Sequence, residues 1–112
     1  MELEKIMKLQ GKFDAKHSGL SDWSVKVTEE NLELLEFLMI GMMGEFGEFA
    51  NTIKKIIRGD FSLSSKREEI EEEVADIFIY LVKICNQMDI DLAGNFLKKL
   101  EKNKKRFKTS RK

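Results

Sequence analysis

The residues of this sequence that could do chemistry are two pairs of acidic residues with the same spacing. The pairs are Glu45-x-x-Glu48 and Glu73-x-x-Asp76. Residues three positions apart are neighbours on one face of a helix, so each pair presents two adjacent carboxylates. If the two helices pack antiparallel, the four carboxylates repel one another unless a cation or protons lie among them. The pattern therefore predicts a hard divalent metal ion bound by oxygen ligands.

The elements that carry these pairs are predicted to be helices, because the sequence has no proline and no strand-like alternation. Thr28 is a good N-cap, and Ser65-Lys-Arg-Glu68 has the form of a capping box. Short loops favour antiparallel neighbours, so the predicted fold class is all-α, an antiparallel bundle of four main helices. The predicted helices run from Glu2 to His17, from Thr28 to Gly59, from Ser64 or Ser65 to Met88, and from Asp91 into a basic tail.

Apolar rows on the two long helices predict how they pack. A further row at Leu34, Phe37 and Leu38 leaves the second helix apolar nearly all round between residues 34 and 43. A domain this small cannot bury both faces, so we expect a homo-oligomer, a dimer or a tetramer. The expected core rows, with the acids at their flanks, are Leu32, Leu35, Met39, Met42, Phe46, Ala50, Ile53 and Ile57 on the second helix and Ile70, Val74, Ile77, Leu81, Ile84, Cys85 and Met88 on the third.

Composition predicts a single domain over residues 1–112, with its motifs in 28–108 and a disordered basic tail at 108–112. One cysteine, Cys85, agrees with a reducing compartment, and no signal peptide or membrane-spanning run is apparent. We therefore expect a cytoplasmic protein without a membrane partner. Residues 98–112 hold nine Lys or Arg and one Glu, a net charge of +8, so residues 1–97 carry −8.

The two acidic pairs, in this order, resemble the signature of the all-α nucleoside triphosphate pyrophosphohydrolases, the MazG-like superfamily. The segments Gly44–Ala50 and Glu73–Leu81 are similar to the family's two acidic helices, although Gly44 stands where many members have a further Glu. Lys99-x-x-x-Asn103-x-x-Arg106 resembles the family's Lys/Asn/Arg element. The resemblance spans about residues 28–108, which is most of the chain.

The resemblance implies hydrolysis of a nucleoside triphosphate between the α and β phosphates, giving the monophosphate and pyrophosphate, as nucleotide-pool house-cleaning. It implies Mg²⁺, with Mn²⁺ as a substitute, held by Glu45, Glu48, Glu73 and Asp76. A glutamate that does not bind the metal is the better general base, since a ligating carboxylate has lost basicity. Glu72 and Glu69 are the further candidates for that role or for outer-shell support.

Substrate contacts are expected from two further groups of residues. Lys99, Asn103 and Arg106 share a helix face and can hold the polyphosphate, as can Lys54, although Lys54 equally complements a helix C-terminus. Phe13 and Trp23 can stack on a nucleobase or simply pack on the bundle. Another possible function is a non-enzymatic helical oligomer or a nucleic-acid-binding module using the basic C-terminal helix. The acidic body would repel nucleic acid, so we expect no such partner.

Overall fold

The chain is described here by a computed structural model of residues 1–17 and 23–107. These residues form four α-helices and no strand: α1 (Leu3–Lys16), α2 (Glu33–Arg58), α3 (Arg67–Met88) and α4 (Leu92–Arg106). Short 3₁₀ turns, Glu29–Asn31 and Ser64–Lys66, precede α2 and α3. The all-α prediction is confirmed. The predicted disordered tail at 108–112 lies outside the described residues.

The helix ends follow local sequence signals in most places. Thr28 forms a reciprocal capping box with Asn31, and Asp91 accepts a hydrogen bond from the Gly94 N–H at 3.0 Å. At the end of α2, Gly59 has φ of +97°, a left-handed conformation that glycine adopts without steric cost. The capping box expected at Ser65 is wrong. Ser65 lies within a 3₁₀ turn, where its hydroxyl donates to the Ser62 carbonyl at 2.9 Å.

The α2–α3 hairpin is the centre of the molecule, and α1 packs on α3. The fourth helix makes only sparse contact with the rest of the chain. The radius of gyration is correspondingly large, 17.4 Å, against about 13 Å for a compact domain of this length. The four predicted helices are present, but a single chain does not pack all of them into one bundle.

The helix faces that meet inside the chain differ from the expected core rows. Leu38, assigned to the second apolar row, is 1% exposed, whereas Ile57 of the expected core row is 80% exposed. On α3 the expected core residue Val74 is 49% exposed. Because α2 is apolar on both faces, periodicity alone could not show which face packs within the chain. The members of the expected core rows that are largely exposed are Leu32, Met39, Phe46, Ala50, Ile57, Val74, Leu81 and Met88.

Gly41 lies on the inner face of α2, where this helix packs against Tyr80 of α3. A Cβ atom built on Gly41 would lie 2.6 Å from Cε1 of the Tyr80 ring, closer than real Cβ contacts allow. Cβ atoms built on Gly44 and Gly47 would meet nothing within 4 Å. The Tyr80 ring therefore uses the space left by the missing side chain of Gly41. Gly41 therefore differs from Gly44 and Gly47, although the three glycines are equally spaced in the sequence.

We expect Gly41→Ala to destabilise the protein by about 1–3 kcal/mol, because the added methyl must displace the Tyr80 ring. Gly44→Ala is the matched control on the same helix. It should stabilise the protein by roughly 1 kcal/mol, because alanine has the higher helix propensity and the methyl enters open space. Urea unfolding of both variants measures the sign of each change in the free energy of unfolding. Equal effects would show that Gly41 has no packing role.

Candidate metal centre and nucleotide site

The packing of α2 on α3 brings one acid of each pair, Glu45 and Glu73, into the seam between these helices, while Glu48 and Asp76 are exposed. Glu73 is 9% exposed and Glu45 is half-buried, so they lie deeper than the flanking position expected from the sequence. Glu45 Oε2 and Glu73 Oε1 are buried and have no hydrogen-bond partner. A carboxylate oxygen buried in this way is costly unless a cation or a proton reaches it. The seam therefore contains two unfilled acceptor positions.

The electrostatics of the seam show that the four acids influence one another. Burial, and then the charges of Glu48 and Asp76, raise the pKa of Glu45 above its usual value. Burial, and then the charges of Glu69 and Glu48, raise the pKa of Glu73. Both shifts mean that the folded chain disfavours the ionised carboxylate. A bound divalent cation would reverse this preference.

The donor set fits a hard cation, because all four side chains offer carboxylate oxygens and two of these oxygens lack partners. Among the described residues, however, no three His, Cys, Asp or Glu side chains already surround one point as metal ligands. Mutual repulsion favours separated carboxylates, and binding of a cation favours their convergence. Glu45, Glu48, Glu73 and Asp76 are the residues of the seam that would hold the ion.

Trp23 lies next to this seam. Its ring centroid is 6.4 Å from that of Tyr80 and 5.6 Å from that of Phe37. Burial, and then the charges of Glu45 and Asp76, raise the pKa of Tyr80, so Tyr80 connects the acids to the indole. Of the two possibilities considered from the sequence, the structure therefore shows Trp23 packed on the bundle, at a position next to the acids.

Lys83 and Asp14 also belong to this neighbourhood, and sequence analysis missed both. Lys83 Nζ lies 3.8 Å from the Trp23 ring centroid and 3.3 Å from Asp14 Oδ1. The signal that could have found Lys83 is its spacing, since Asp76, Tyr80 and Lys83 follow at i, i+4 and i+7 on one face of α3. No sequence signal indicated Asp14, whose neighbours come from the packing of α1 on α3.

The other predicted substrate residues and the candidate base Glu72 lie outside the buried part of the seam within one chain. Phe13 is exposed and stacks on His17, with ring centroids 4.0 Å apart. Lys54 is exposed at the edge of an apolar groove on α2. Glu72 is exposed on α3. Lys99, Asn103 and Arg106 lie on α4, which does not pack along the α2–α3 hairpin.

An all-α fold with two carboxylate pairs facing one helix seam is suited to metal-assisted phosphate chemistry. The family model of the MazG nucleotide pyrophosphohydrolase domain matches residues 33–110, and the chain belongs to this family. Members of the family generally depend on divalent metal ions. Neither a curated protein nor a solved structure matches the chain significantly. None of the described helices is long and apolar enough to cross a membrane.

We expect Glu73→Gln to raise the melting temperature of the metal-free protein by a few degrees, because it removes a buried charge from a repelling cluster. The raised pKa means that the ionised carboxylate destabilises the fold above that pKa. Below the ordinary pKa of glutamate, the group is protonated in both folded and unfolded states. The gain should therefore be largest in mildly alkaline buffer and vanish in acid.

Thermal melts across a pH series in the presence of a chelator measure this gain. Glu68→Gln, at an exposed position in the first turn of α3, is the matched control and should leave the melting temperature nearly unchanged. A marked loss of stability in Glu73→Gln would instead identify Glu73 as a structural partner in the seam.

Proposed function

We propose that the protein is a Mg²⁺-dependent enzyme that hydrolyses a nucleoside triphosphate between the α and β phosphates, releasing the monophosphate and pyrophosphate. The observation that carries this proposal is the pair of buried, unpartnered carboxylate oxygens of Glu45 and Glu73 in one seam. Membership of the MazG family supports the class of reaction. Removal of unwanted nucleotides from the cellular pool is the role that fits this reaction best.

In the proposed mechanism, Glu45, Glu48, Glu73 and Asp76 would hold the metal and would thereby position the phosphates against the seam. When bound, Mg²⁺ supplies Lewis acidity towards phosphoryl oxygens and lowers the pKa of coordinated water. A carboxylate that does not ligate the metal, for which Glu69 and Glu72 are the candidates, would accept a proton from the attacking water. The water oxygen forms the new bond to phosphorus, and the anhydride bond between the α and β phosphates breaks.

We expect Glu48→Gln and Asp76→Asn each to lower kcat/KM by at least about 100-fold, since changes merely adjacent to metal ligands cost 10–100-fold. Pyrophosphate release from a nucleotide panel, with and without Mg²⁺, measures the effect. Glu68→Gln should retain wild-type turnover. Near-wild-type activity of both seam variants would refute the assignment of the metal site.

The functional unit in our proposal is a homo-oligomer, because α2 presents a long apolar face that its own chain leaves uncovered. Two adjoining apolar grooves of about 630 and 510 Å³ run along this face, beside Met39 and beside Phe46. Such a surface is unusual on a monomer unless it is an interaction site. The grooves are lined by Leu32, Leu35, Met39, Ile40 and Met43 and by Phe46, Phe49, Ala50, Ile53 and Ile57.

A second copy of the chain is the occupant that fits this face. The fourth helix has exposed apolar residues, Phe96, Leu97 and Leu100, and makes only sparse contact with its own chain. Its basic residues complement the acidic body, which carries −8 over residues 1–97. Docking of α4 on a partner would cover both apolar surfaces. In our proposal it also brings Lys99, Asn103 and Arg106 to the partner's acids, where they hold the polyphosphate.

We expect Phe46→Asp to dissociate the assembly, because it places an unpaired charge in the proposed interface. Phe37, although it is also on α2, is a poorer choice for this test because its ring packs near Trp23. Sedimentation of wild type and variant at micromolar concentration measures the change. A 13.1 kDa monomer that still hydrolyses nucleotides would contradict the proposed interface.

Mixing two inactive variants tests whether sites are shared between copies. Glu48→Gln retains a functional α4, and Arg106→Ala retains functional acids. In a hybrid dimer with shared sites, one site receives both intact parts, so a mixed sample should recover roughly a quarter of wild-type activity. If each site is contained within one chain, the mixed sample should recover no activity. The control mixture contains Lys104→Ala in place of Arg106→Ala, because Lys104 pairs with Glu101 on α4.

A further inference from the structure

Thr52 places a hydroxyl group in the seam beside the acids. It is 9% exposed, and it follows Glu48 at i+4 and Glu45 at i+7, so the three side chains share one face of α2. Its Oγ1 donates a hydrogen bond to the carbonyl oxygen of Glu48 at 3.1 Å. In an α-helix that carbonyl already accepts from the backbone N–H four residues later, which is the N–H of Thr52 itself. The hydroxyl is therefore not needed to satisfy the backbone of α2.

The Thr52 side chain is also a hydrogen-bond partner of Glu73, across the seam on α3. Burial, and then the charges of Glu69 and Glu48, raise the pKa of Glu73, and the hydrogen bond from Thr52 opposes this rise. A hydrogen bond has this effect when it is donated to the ionised carboxylate. Because Glu73 Oε1 has no hydrogen-bond partner, the contact with Thr52 leaves at least one carboxylate oxygen open.

The Thr52 hydroxyl thus has one proton and two acceptors within reach, the Glu48 carbonyl and the Glu73 carboxylate. Rotation about the Cβ–Oγ bond moves the proton from one acceptor to the other without displacing a heavy atom. An ionised carboxylate is a stronger acceptor than a carbonyl oxygen. Ionisation of Glu73 therefore draws the hydrogen bond across the seam.

The stability of α2 is a weak explanation for threonine at this position. Threonine has a lower helix propensity than alanine or leucine, and a side-chain bond to the i−4 carbonyl slightly destabilises a helix. An apolar side chain could pack in the seam with neither disadvantage. The hydroxyl is better explained by the carboxylate that it reaches.

We propose that Thr52 is a positioning residue of the metal centre, whose hydroxyl donates to one carboxylate oxygen of Glu73 and so directs the other oxygen towards the ion. This inference rests on the proposed function, because it takes the seam to be the metal site. The Glu73 side chain is repelled by neighbouring acids, and a donor from the facing helix holds it in one orientation against that repulsion. Hydrogen bonds of this kind to metal ligands typically change metal affinity by about 10–100-fold.

Binding of Mn²⁺ to the nucleotide-free protein, followed by the electron paramagnetic resonance signal of the free ion, tests the proposal without relying on hydrolysis. Thr52→Val keeps the shape of the side chain without its hydroxyl, so it should weaken Mn²⁺ binding by about tenfold or more. Thr52→Ser keeps the hydroxyl, so its affinity should stay within about threefold of wild type. Melting curves in a chelator should show the opposite order, with Thr52→Ser the less stable variant, because it loses a buried methyl group.

Thr52→Ala is the second test if Thr52→Val does not fold, since it differs from Thr52→Ser only by the hydroxyl, and it should bind Mn²⁺ as weakly as expected for Thr52→Val. Glu68→Gln, at an exposed position of α3, is the control and should bind as wild type does. Wild-type affinity in the variants without a hydroxyl, or an equal loss in Thr52→Ser, would overturn the proposal. Wild-type binding no tighter than that of Glu48→Gln would instead count against the proposed function, because the seam would then hold no ion. The two failures are therefore distinguishable.

Discussion

Like-charge repulsion among carboxylates held in a helix seam is the constraint on which this structure depends. Glu45 and Glu73 are kept there by the packing of α2 on α3, although burial and neighbouring acids raise the pKa of both side chains. The contacts that offset this cost lie in the same seam, where Gly41 admits the Tyr80 ring and Leu38 is fully buried. Tight apolar packing thus maintains an arrangement that the charges oppose, and it leaves two carboxylate oxygens available to a cation.

The use of one face of α2 for this seam determines the rest of the architecture. A second apolar face of α2 remains exposed, and α4 leaves the hairpin with its own apolar side chains uncovered. Among the described residues neither of these two surfaces is covered. The proposed oligomer follows from this geometry, and it would bring the basic helix of one copy to the acidic seam of another.

The packing of α1 on α3 places the charged side chain of Asp14 in a position where apolar side chains alone could have packed. Asp14 reaches Lys83, and Lys83 lies against the Trp23 ring, which in turn is a neighbour of Tyr80. A continuous set of contacts therefore joins the acids to the N-terminal helix.

The sequence by itself determined the number of helices, most of their ends and the two acidic pairs, because caps and i, i+3 spacings are local properties. The spacing also predicted the family, which the match over residues 33–110 confirms. Tertiary structure decided which apolar face of α2 lies inward, how deeply Glu73 is buried, and that Asp14 meets Lys83. Periodicity shows that a helix has an apolar face, but it does not show which surface covers that face. Where α2 offered two such faces, the face that carries Gly41 is the one that packs against Tyr80.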